Sequence, residues 1–353
     1  YIVTGNANWR TELMPTTKIK MLALAVTGRC NFACRYCYAA PLDAQDMSID
    51  TAFKALKLAA QSGENFVLQF TGGEPLLNFP VIKKIAMQVI AQKLPAKMQI
   101  QTNCSLMTDE IADFLYEHKI AIGVSLDGRP GVNDLQRIYK DGTGTSQDIV
   151  KGLEILKRRN IAVGITCVVT DENVKQLESI IEFAHFLGNV RRIGFDVLRY
   201  QGRGCSLKMP CGDDVKNAMQ RVINKNDYLQ KLTGIKIKLS QQERAIVQKS
   251  ISYAYDFGHC YAMNGQAAFV AADGSIYACS SFMGEPDFYI GNVEKGIDSL
   301  AVNDLKNKIK QSMRFCIDCR EFKACGGGCY ARWYGSGQAT NCSAECALKL
   351  SFI

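Results

Sequence analysis

From Met21 onward the chain alternates short apolar runs with amphipathic stretches, and this rhythm limits the folds open to it. The apolar runs at 21–27, 66–71, 97–102, 121–126, 161–169 and 192–198 read as strands. Helical patterns fill the gaps at about 48–62, 79–92, 108–118, 146–160 and 173–187. Ser48 is a plausible helix cap, whereas Thr108 lacks the acidic partner of a full capping box. Strands alternating with helices predict parallel βα units. Six units are too few for a closed eight-stranded barrel, so an open, partial (β/α)6 barrel is expected, with its site at the carboxyl ends of the strands.

The first strand runs directly into Cys30-Asn31-Phe32-Ala33-Cys34-Arg35-Tyr36-Cys37. Three thiolates at x3 and x2 spacing on one loop can hold three irons of a cubic cluster, and a four-iron cluster ordinarily takes four cysteines. The fourth iron is left for something that is not protein. A structural zinc loop is the alternative, although zinc motifs usually pair CxxC with a second pair downstream.

Fifteen cysteines are many for a chain with no readable signal peptide. Three fall at 30–37 and eight between Cys260 and Cys346. Such clustering, in a chain expected in a cytoplasm that is anaerobic or reducing, favours metal over disulfides. No run approaches the length of a membrane span. The net charge of +8 suits an anionic partner such as an acidic peptide, or simply a lysine-rich surface. No arginine-rich or aromatic-interleaved run points to nucleic acid. His118, His185 and His259 lack ligand-like spacing.

Cys30-x3-Cys34-x-Tyr36-Cys37 resembles the CxxxCxΦC signature of the radical S-adenosylmethionine (SAM) superfamily. Thr71-Gly72-Gly73-Glu74-Pro75 resembles its GGEP motif, and Gln101-Thr102-Asn103 and Ser125-Leu126-Asp127-Gly128 resemble stretches of its peptide- and protein-modifying members. The resemblance implies that Cys30, Cys34 and Cys37 hold a SAM-binding cluster. It also implies SAM contacts from Tyr36, Gly72, Gly73, Glu74, Ser125, Asp127 and Arg137. Read without it, the two glycines allow close backbone approach to a ligand. Ser125 and Asp127, two apart, would share one face of a strand and reach ribose hydroxyls; a strand-end turn is the plainer reading.

The C-terminal cysteines run Cys260, Gly274, Cys279, then Cys316-x2-Cys319-x5-Cys325-x3-Cys329, then Cys342 and Cys346. Paired cysteines at 316 and 319 would serve zinc. The whole order is similar to the SPASM domain, which implies short hairpins and helices around two auxiliary four-iron clusters, three clusters in all. The resemblance assigns Cys260, Cys279 and Cys329 to the inner cluster (auxiliary I) and Cys316, Cys319, Cys325 and Cys346 to the outer one (auxiliary II), with Cys342 a possible extra ligand. Ala254 and Tyr255 stand where some members have a further cysteine, so the inner cluster keeps an open iron unless Cys342 closes it. The expected division is an arm at 1–20, a barrel at 21–212, a helical bridge at 213–255 and the SPASM domain at 256–353.

The expected function is radical modification of a ribosomally made precursor peptide, most closely a thioether bond from cysteine sulfur to a peptide carbon. An external donor such as flavodoxin or ferredoxin would supply electrons. Epimerisation, a carbon–carbon link, backbone excision and sulfatase-type formylglycine formation are the other enzymatic readings. Ser280 replaces the aspartate that follows the second SPASM cysteine in sulfatase maturases. An epimerase needs a thiol donor, for which Cys205 and Cys211 are candidates and the strand-borne Cys104 and Cys167 are less suited. A non-catalytic iron–sulfur or zinc scaffold is the reading from another class.

Overall fold

The computed structural model describes residues 18–39, 43–250, 257, 260–337 and 343–353. Most of the expected arm, His259, Ala254, Tyr255 and Cys342 lie outside them. Six parallel strands follow in spatial order: β1 (Met21–Thr27), β2 (Phe66–Gly72), β3 (Ala96–Thr102), β4 (Ala121–Ser125), β5 (Val163–Val169) and β6 (Val190–Val197). Between them lie α1 (Ile49–Ala60), α2 (Phe79–Ala91), α3 (Asp109–Glu117), the short α4 (Pro130–Asn133), α5 (Ser146–Arg158) and α6 (Ser179–Leu187). Ser48 caps α1 by accepting from Thr51 N at 3.0 Å, and Thr108 caps α3 by accepting from Ile111 N at 3.2 Å. The acidic partner missing from the second cap is therefore not needed for its main bond.

After β6 the long helix α7 (Gly212–Thr233) leads to β7 (Lys238–Leu239), which pairs parallel with β6, and to α8 (Ser240–Ser250). The C-terminal part contains β8 (Ala267–Val270), β9 (Ser275–Tyr277), β10 (Tyr289–Asn292) and β11 (Gly296–Ile297), then α9 (Ser299–Ser312), α10 (Arg314–Ile317), α11 (Phe322–Cys325), α12 (Tyr330–Ser336) and α13 (Ser343–Leu350).

The hairpins do not stand apart from the barrel. β8 pairs parallel with β1, Met21 opposite Ala267 and Leu24 opposite Val270, and β9 to β11 continue antiparallel from it. The eleven strands of the described residues form one sheet, with β1 inside it. An open barrel leaves β1 with an unpaired row of N–H and C=O groups, and the C-terminal strand satisfies them. Six of the seven residues of β1 are buried, as expected for a parallel strand covered on both faces.

The other strands alternate. In β2 and β5 every second residue is fully buried against the helices, Leu68 and Phe70 on one and Ile165, Cys167 and Val169 on the other. They pack with Leu56, Ile82, Ile85, Leu153 and Ile180 from α1, α2, α5 and α6 in one core. The residues between them face the concave side and stay half-buried. The interior of the sheet is therefore hollow, and the protein's stability rests on the helix-facing side.

Adjacent residues of β2 test this. Phe70→Ala should lower unfolding stability by about 3–5 kcal/mol through the cavity it leaves. Gln69→Ala should cost no more than about 1 kcal/mol, the bond that Gln69 accepts from Gln99. Urea midpoints of the two anaerobic variants measure the difference.

Candidate active site

The cysteine loop has no regular structure, so its shape comes from its neighbours. Ala33 N donates to Ile138 O at 2.7 Å and Arg35 N to Gln136 O at 2.9 Å. Asn31 Nδ2 donates to Ser105 Oγ at 2.9 Å, and Asn103 Nδ2 to Asn31 Oδ1 at 2.9 Å. Arg203 Nε donates to Cys34 O at 2.8 Å, and Arg203 N to Cys37 O at 3.0 Å. Loops after β3, β4 and β6 thus clamp the segment at the carboxyl ends of the strands, where sequence reasoning expected the chemistry.

Cys30, Cys34 and Cys37 are free thiols within electrostatic reach of one another. Burial pushes the Cys30 thiol up to about 11, and the Glu74 carboxylate and the other two thiols add to the rise, against a hydrogen bond from Phe32 N. Burial raises Cys34 as well, opposed by the Arg137 guanidinium. Thiols held this way surrender their protons to a metal rather than to water. Among the described residues no three Cys, His, Asp or Glu side chains converge closely enough to share one metal ion. A cubic cluster does not require that, because each thiolate binds its own iron. The donor set fits such a cluster with one iron left open.

Gly72 and Gly73 approach backbone, not open space. A Cβ at Gly72 (φ +129) would lie 2.1 Å from Thr27 O, and one at Gly73 2.2 Å from Arg29 O. Gly73 N donates to Thr27 O and Glu74 N to Arg29 O, both at 2.8 Å. These glycines therefore seat the chain leading into the cysteine loop, a constraint that stands beside the expected approach to a ligand. Glu74 is buried, and its carboxylate accepts from Leu76 N (3.1 Å), Thr102 Oγ1 (2.6 Å) and Asn103 N (2.7 Å). Burial pushes its carboxyl up, and these bonds pull it back toward the ionised form. A carboxylate offers about four lone-pair sites, so one remains for an ammonium group.

Ser125 and Asp127 do not share a face. β4 stops at Ser125, so strand alternation does not reach Asp127. Ser125 Oγ is half-buried and accepts from Gln101 Nε2 at 2.9 Å. Asp127 is fully buried; its Oδ1 accepts from Val168 N at 2.8 Å and its Oδ2 from the Tyr36 hydroxyl. Arg137 Nη1 donates to Tyr36 Oη at 2.6 Å and lies 4.0 Å from Asp127 Oδ2. Burial pushes the Asp127 carboxyl up, and Arg137, Tyr36 and Val168 pull it toward the ionised form. With each oxygen accepting a bond, Asp127 positions Tyr36 and, through it, the cysteine loop.

A cavity of 840 Å³ joins the concave face of the sheet to the C-terminal cysteines. Cys260, Cys279 and Cys329 line it, as does Cys325; Cys316, Cys319 and Cys346 do not. Burial drives the Cys329 thiol up to about 12, against the Arg199 guanidinium. Cys316 is buried, Cys319 is exposed, and Cys346 is half-buried on α13.

Four charged residues that sequence reasoning missed knit this region to β6. Arg199 donates to Asp196 Oδ2 at 2.7 Å and Ser281 Oγ at 2.6 Å, and lies over the Tyr38 ring at 4.7 Å. Arg332 is buried; it donates to Val197 O at 2.9 Å and pairs with Asp196 and Glu345. No motif links residues so scattered; the signal is the buried pairing itself. Cys205 and Cys211 are exposed and outside the cavity lining, and Cys104 and Cys167 are buried among core side chains.

These features converge on one class. The Radical SAM superfamily profile matches residues 24–184, and the chain belongs to that superfamily. It is an enzyme whose family cofactors are SAM and a four-iron cluster. An uncharacterized protein of Methanocaldococcus jannaschii is 34% identical over 316 residues, spanning 89% of this chain and 96% of its own length. The radical SAM cyclopropyl synthase TigE of Paramaledivibacter caminithermalis is 26% identical over 343 residues, 88% of this chain and 68% of that one. Serine- and cysteine-type anaerobic sulfatase-maturating enzymes are also similar. The solved structure of anSMEcpe with AdoMet and the Cp18Cys peptide superposes with a TM-score of 0.77 over 95% of both chains at 20% identity, so the fold is shared. The superposition carries through the C-terminal part, as expected for a SPASM-type domain joined to the barrel.

Gly73→Ala should displace the cysteine loop and lower bound iron and 5′-deoxyadenosine formation together, with circular dichroism of the helices unchanged. Asp127→Ala should cost about 3–5 kcal/mol of unfolding stability without SAM, because it leaves a buried guanidinium unpaired. A residue that served only as a ribose ligand would leave that urea midpoint in place.

Proposed function

We propose that this enzyme modifies a ribosomally made peptide by joining a cysteine sulfur to a peptide carbon. The observation that carries the reading is the single cavity shared by the concave face of the sheet and Cys260, Cys279 and Cys329. Cys30, Cys34 and Cys37 would hold the SAM-binding cluster, with Glu74 accepting from the SAM ammonium group and Ser125 offering a hydroxyl contact. When bound, SAM and its cluster supply a 5′-deoxyadenosyl radical that takes a hydrogen atom from carbon. Cys260, Cys279 and Cys329 would hold an inner auxiliary cluster beside the substrate, and Cys316, Cys319, Cys325 and Cys346 an outer one. Thioether formation removes two hydrogens from the peptide: one as an atom to deoxyadenosyl, the other as a proton and an electron, the electron passing to the auxiliary clusters these cysteines would hold. An external donor such as flavodoxin or ferredoxin would prime the reaction.

What the chain itself contributes is placement and exclusion of water. Arg199 holds Ser281, two residues after Cys279, and so fixes the cysteine's loop against β6. The Arg332 pairs with Asp196 and Glu345 close the junction between sheet and C-terminal helices.

Formylglycine formation is the second reading, favoured by the relatives named sulfatase-maturating. Against it stands the lining. Ser280 occupies the aspartate position, and the carboxylates among the described lining residues, Asp196 and Glu345, are both held by Arg332. Epimerisation asks for a thiol beside the substrate, and Cys205 and Cys211 lie outside the lining.

Anaerobic holoenzyme with SAM, reductant and a cysteine-containing peptide encoded beside its gene should yield a product two hydrogens lighter that resists thiol alkylation. A product of unchanged mass with solvent deuterium at carbon would point to epimerisation, and loss of the cysteine sulfur to formylglycine. Cys279→Ala should lower bound iron by roughly the four irons of one cluster and abolish cross-linking while leaving SAM cleavage in place.

A further inference from the structure

Closed βα barrels fill their interior with branched apolar side chains. This sheet carries a different row. Gln101 on β3, Gly123 on β4, Gly164 on β5 and Arg192 on β6 stand opposite one another in register and line the cavity. The Gln101 amide lies over Gly123, so the amide and the guanidinium flank a bare strip of floor at Gly164.

The two glycines differ in why they are glycine. A Cβ at Gly123 would lie 2.4 Å from Gln101 Oε1, so that glycine seats the glutamine. A Cβ at Gly164 would meet nothing nearer than 3.9 Å, the Cβ of Arg192. Its backbone is ordinary strand, and nothing in the fold asks for glycine there. Glycine inside a strand weakens it and marks places where a ligand approaches closely.

The polar groups around this floor are mostly donors. Gln101 Nε2 spends one N–H on Ser125 and keeps the other. Arg192 pairs with Glu243 at 3.0 Å in an exposed contact of the kind that exchanges readily with water or ligand. Arg191 and Arg244 line the same end. The lining carboxylates, Asp196 and Glu345, are engaged with Arg332. A guanidinium fork beside an amide is matched to a carboxylate.

We propose that the trough floored by Gly164, between Gln101 and Arg192, is a subsite for a carboxylate of the substrate peptide. Gln101 and Arg192 bind its oxygens, Arg244 adds charge at the cavity end, and the missing side chain at Gly164 provides the room. The inference rests on the peptide reading and gives that peptide an acidic residue, or an acidic C-terminus, at a fixed place relative to the modified one.

The test uses anaerobic holoenzyme with SAM and randomised hexapeptides carrying one fixed cysteine. Retained peptides are sequenced by mass spectrometry. One library is C-terminally amidated, and a second is neutral in its side chains with a free C-terminus. About ten-fold enrichment of Asp and Glu in the first locates the carboxylate on a side chain; retention of the second alone locates it at the C-terminus. Either preference should vanish in Arg192→Gln and in Gly164→Leu, while both variants keep wild-type melting temperatures, iron content and peptide-independent SAM cleavage. Gly164→Ala, whose methyl fits, should keep the preference. Retention with no acidic preference, or a Gly164→Leu variant that selects as wild type does, overturns the subsite and leaves the peptide reading standing. Retention of no peptide from either library, with SAM cleavage intact, removes the peptide reading and the subsite together.

Discussion

The cysteine loop depends on contacts it cannot make for itself. Its backbone is irregular, and its groups are satisfied by Ile138, Gln136, Arg203 and the Asn31–Asn103–Ser105 chain. Those partners lie on three different strand-end loops. A metal-binding loop built this way is preorganised by the sheet beneath it, which spares the cluster the cost of ordering a free segment. The glycines of the Thr71–Pro75 segment belong to the same arrangement, because only residues without Cβ allow β2 to run so close under Thr27 and Arg29. The buried Tyr36–Asp127–Arg137 group completes it from the far side. A carboxylate with no water must have its lone pairs met, and here the cysteine loop's own tyrosine meets one of them. Folding of the sheet and shaping of the metal site are thus one event.

β1 links this site to the C-terminal cysteines. It leads into the cysteine loop at one end, pairs with β2 on one edge and takes β8 on the other. Since β8 continues into the β9–β10 hairpin that precedes and follows Cys279, the two cysteine regions share a strand as a common reference. A six-stranded open sheet would leave an edge able to recruit another chain. Closing it with the chain's own hairpins protects the edge and sets Cys260 and Cys279 beside the cavity. Arg332 and Arg199 lock the opposite junction on β6, so the C-terminal part is held at both sides of the opening.

Period and punctuation in the sequence located the six strands and the helices between them to within a few residues, since parallel strands and amphipathic helices both leave local signals. The cysteine spacings were equally plain in the sequence, and the structure gathers Cys30, Cys34 and Cys37 on one loop and Cys260, Cys279 and Cys329 on one cavity. Three things were not. The pairing of β8 with β1 joins residues some 245 positions apart, such as Leu22 and Ala268, and nothing near either announces it. The inward turn of Asp127 depends on β4 ending two residues earlier, and strand ends are weakly encoded. The Asp196–Arg332–Glu345 pairing is a tertiary fact about charges that look like surface residues when read one at a time.

The hollow concave face follows from the same economy. A closed barrel must fill its centre to be stable. An open one whose helix-facing side already buries Leu68, Phe70, Ile165 and Val169 can leave its other face polar. Gln69 and Gln99 bond each other across that face at 2.8 Å, and Gln101 bonds Ser125, so the amides satisfy part of their need without an apolar filling. Such a lining is costly to desolvate, and it holds a substrate with matching polar groups better than an apolar one. It therefore selects for peptide backbone and charged side chains over hydrocarbon. The proposed reaction requires a substrate held still in this cavity, which Cys260, Cys279 and Cys329 line, until its carbon radical meets its partner. Hydrogen bonds fixed in direction by a rigid sheet provide that hold, which a packed apolar interior would not.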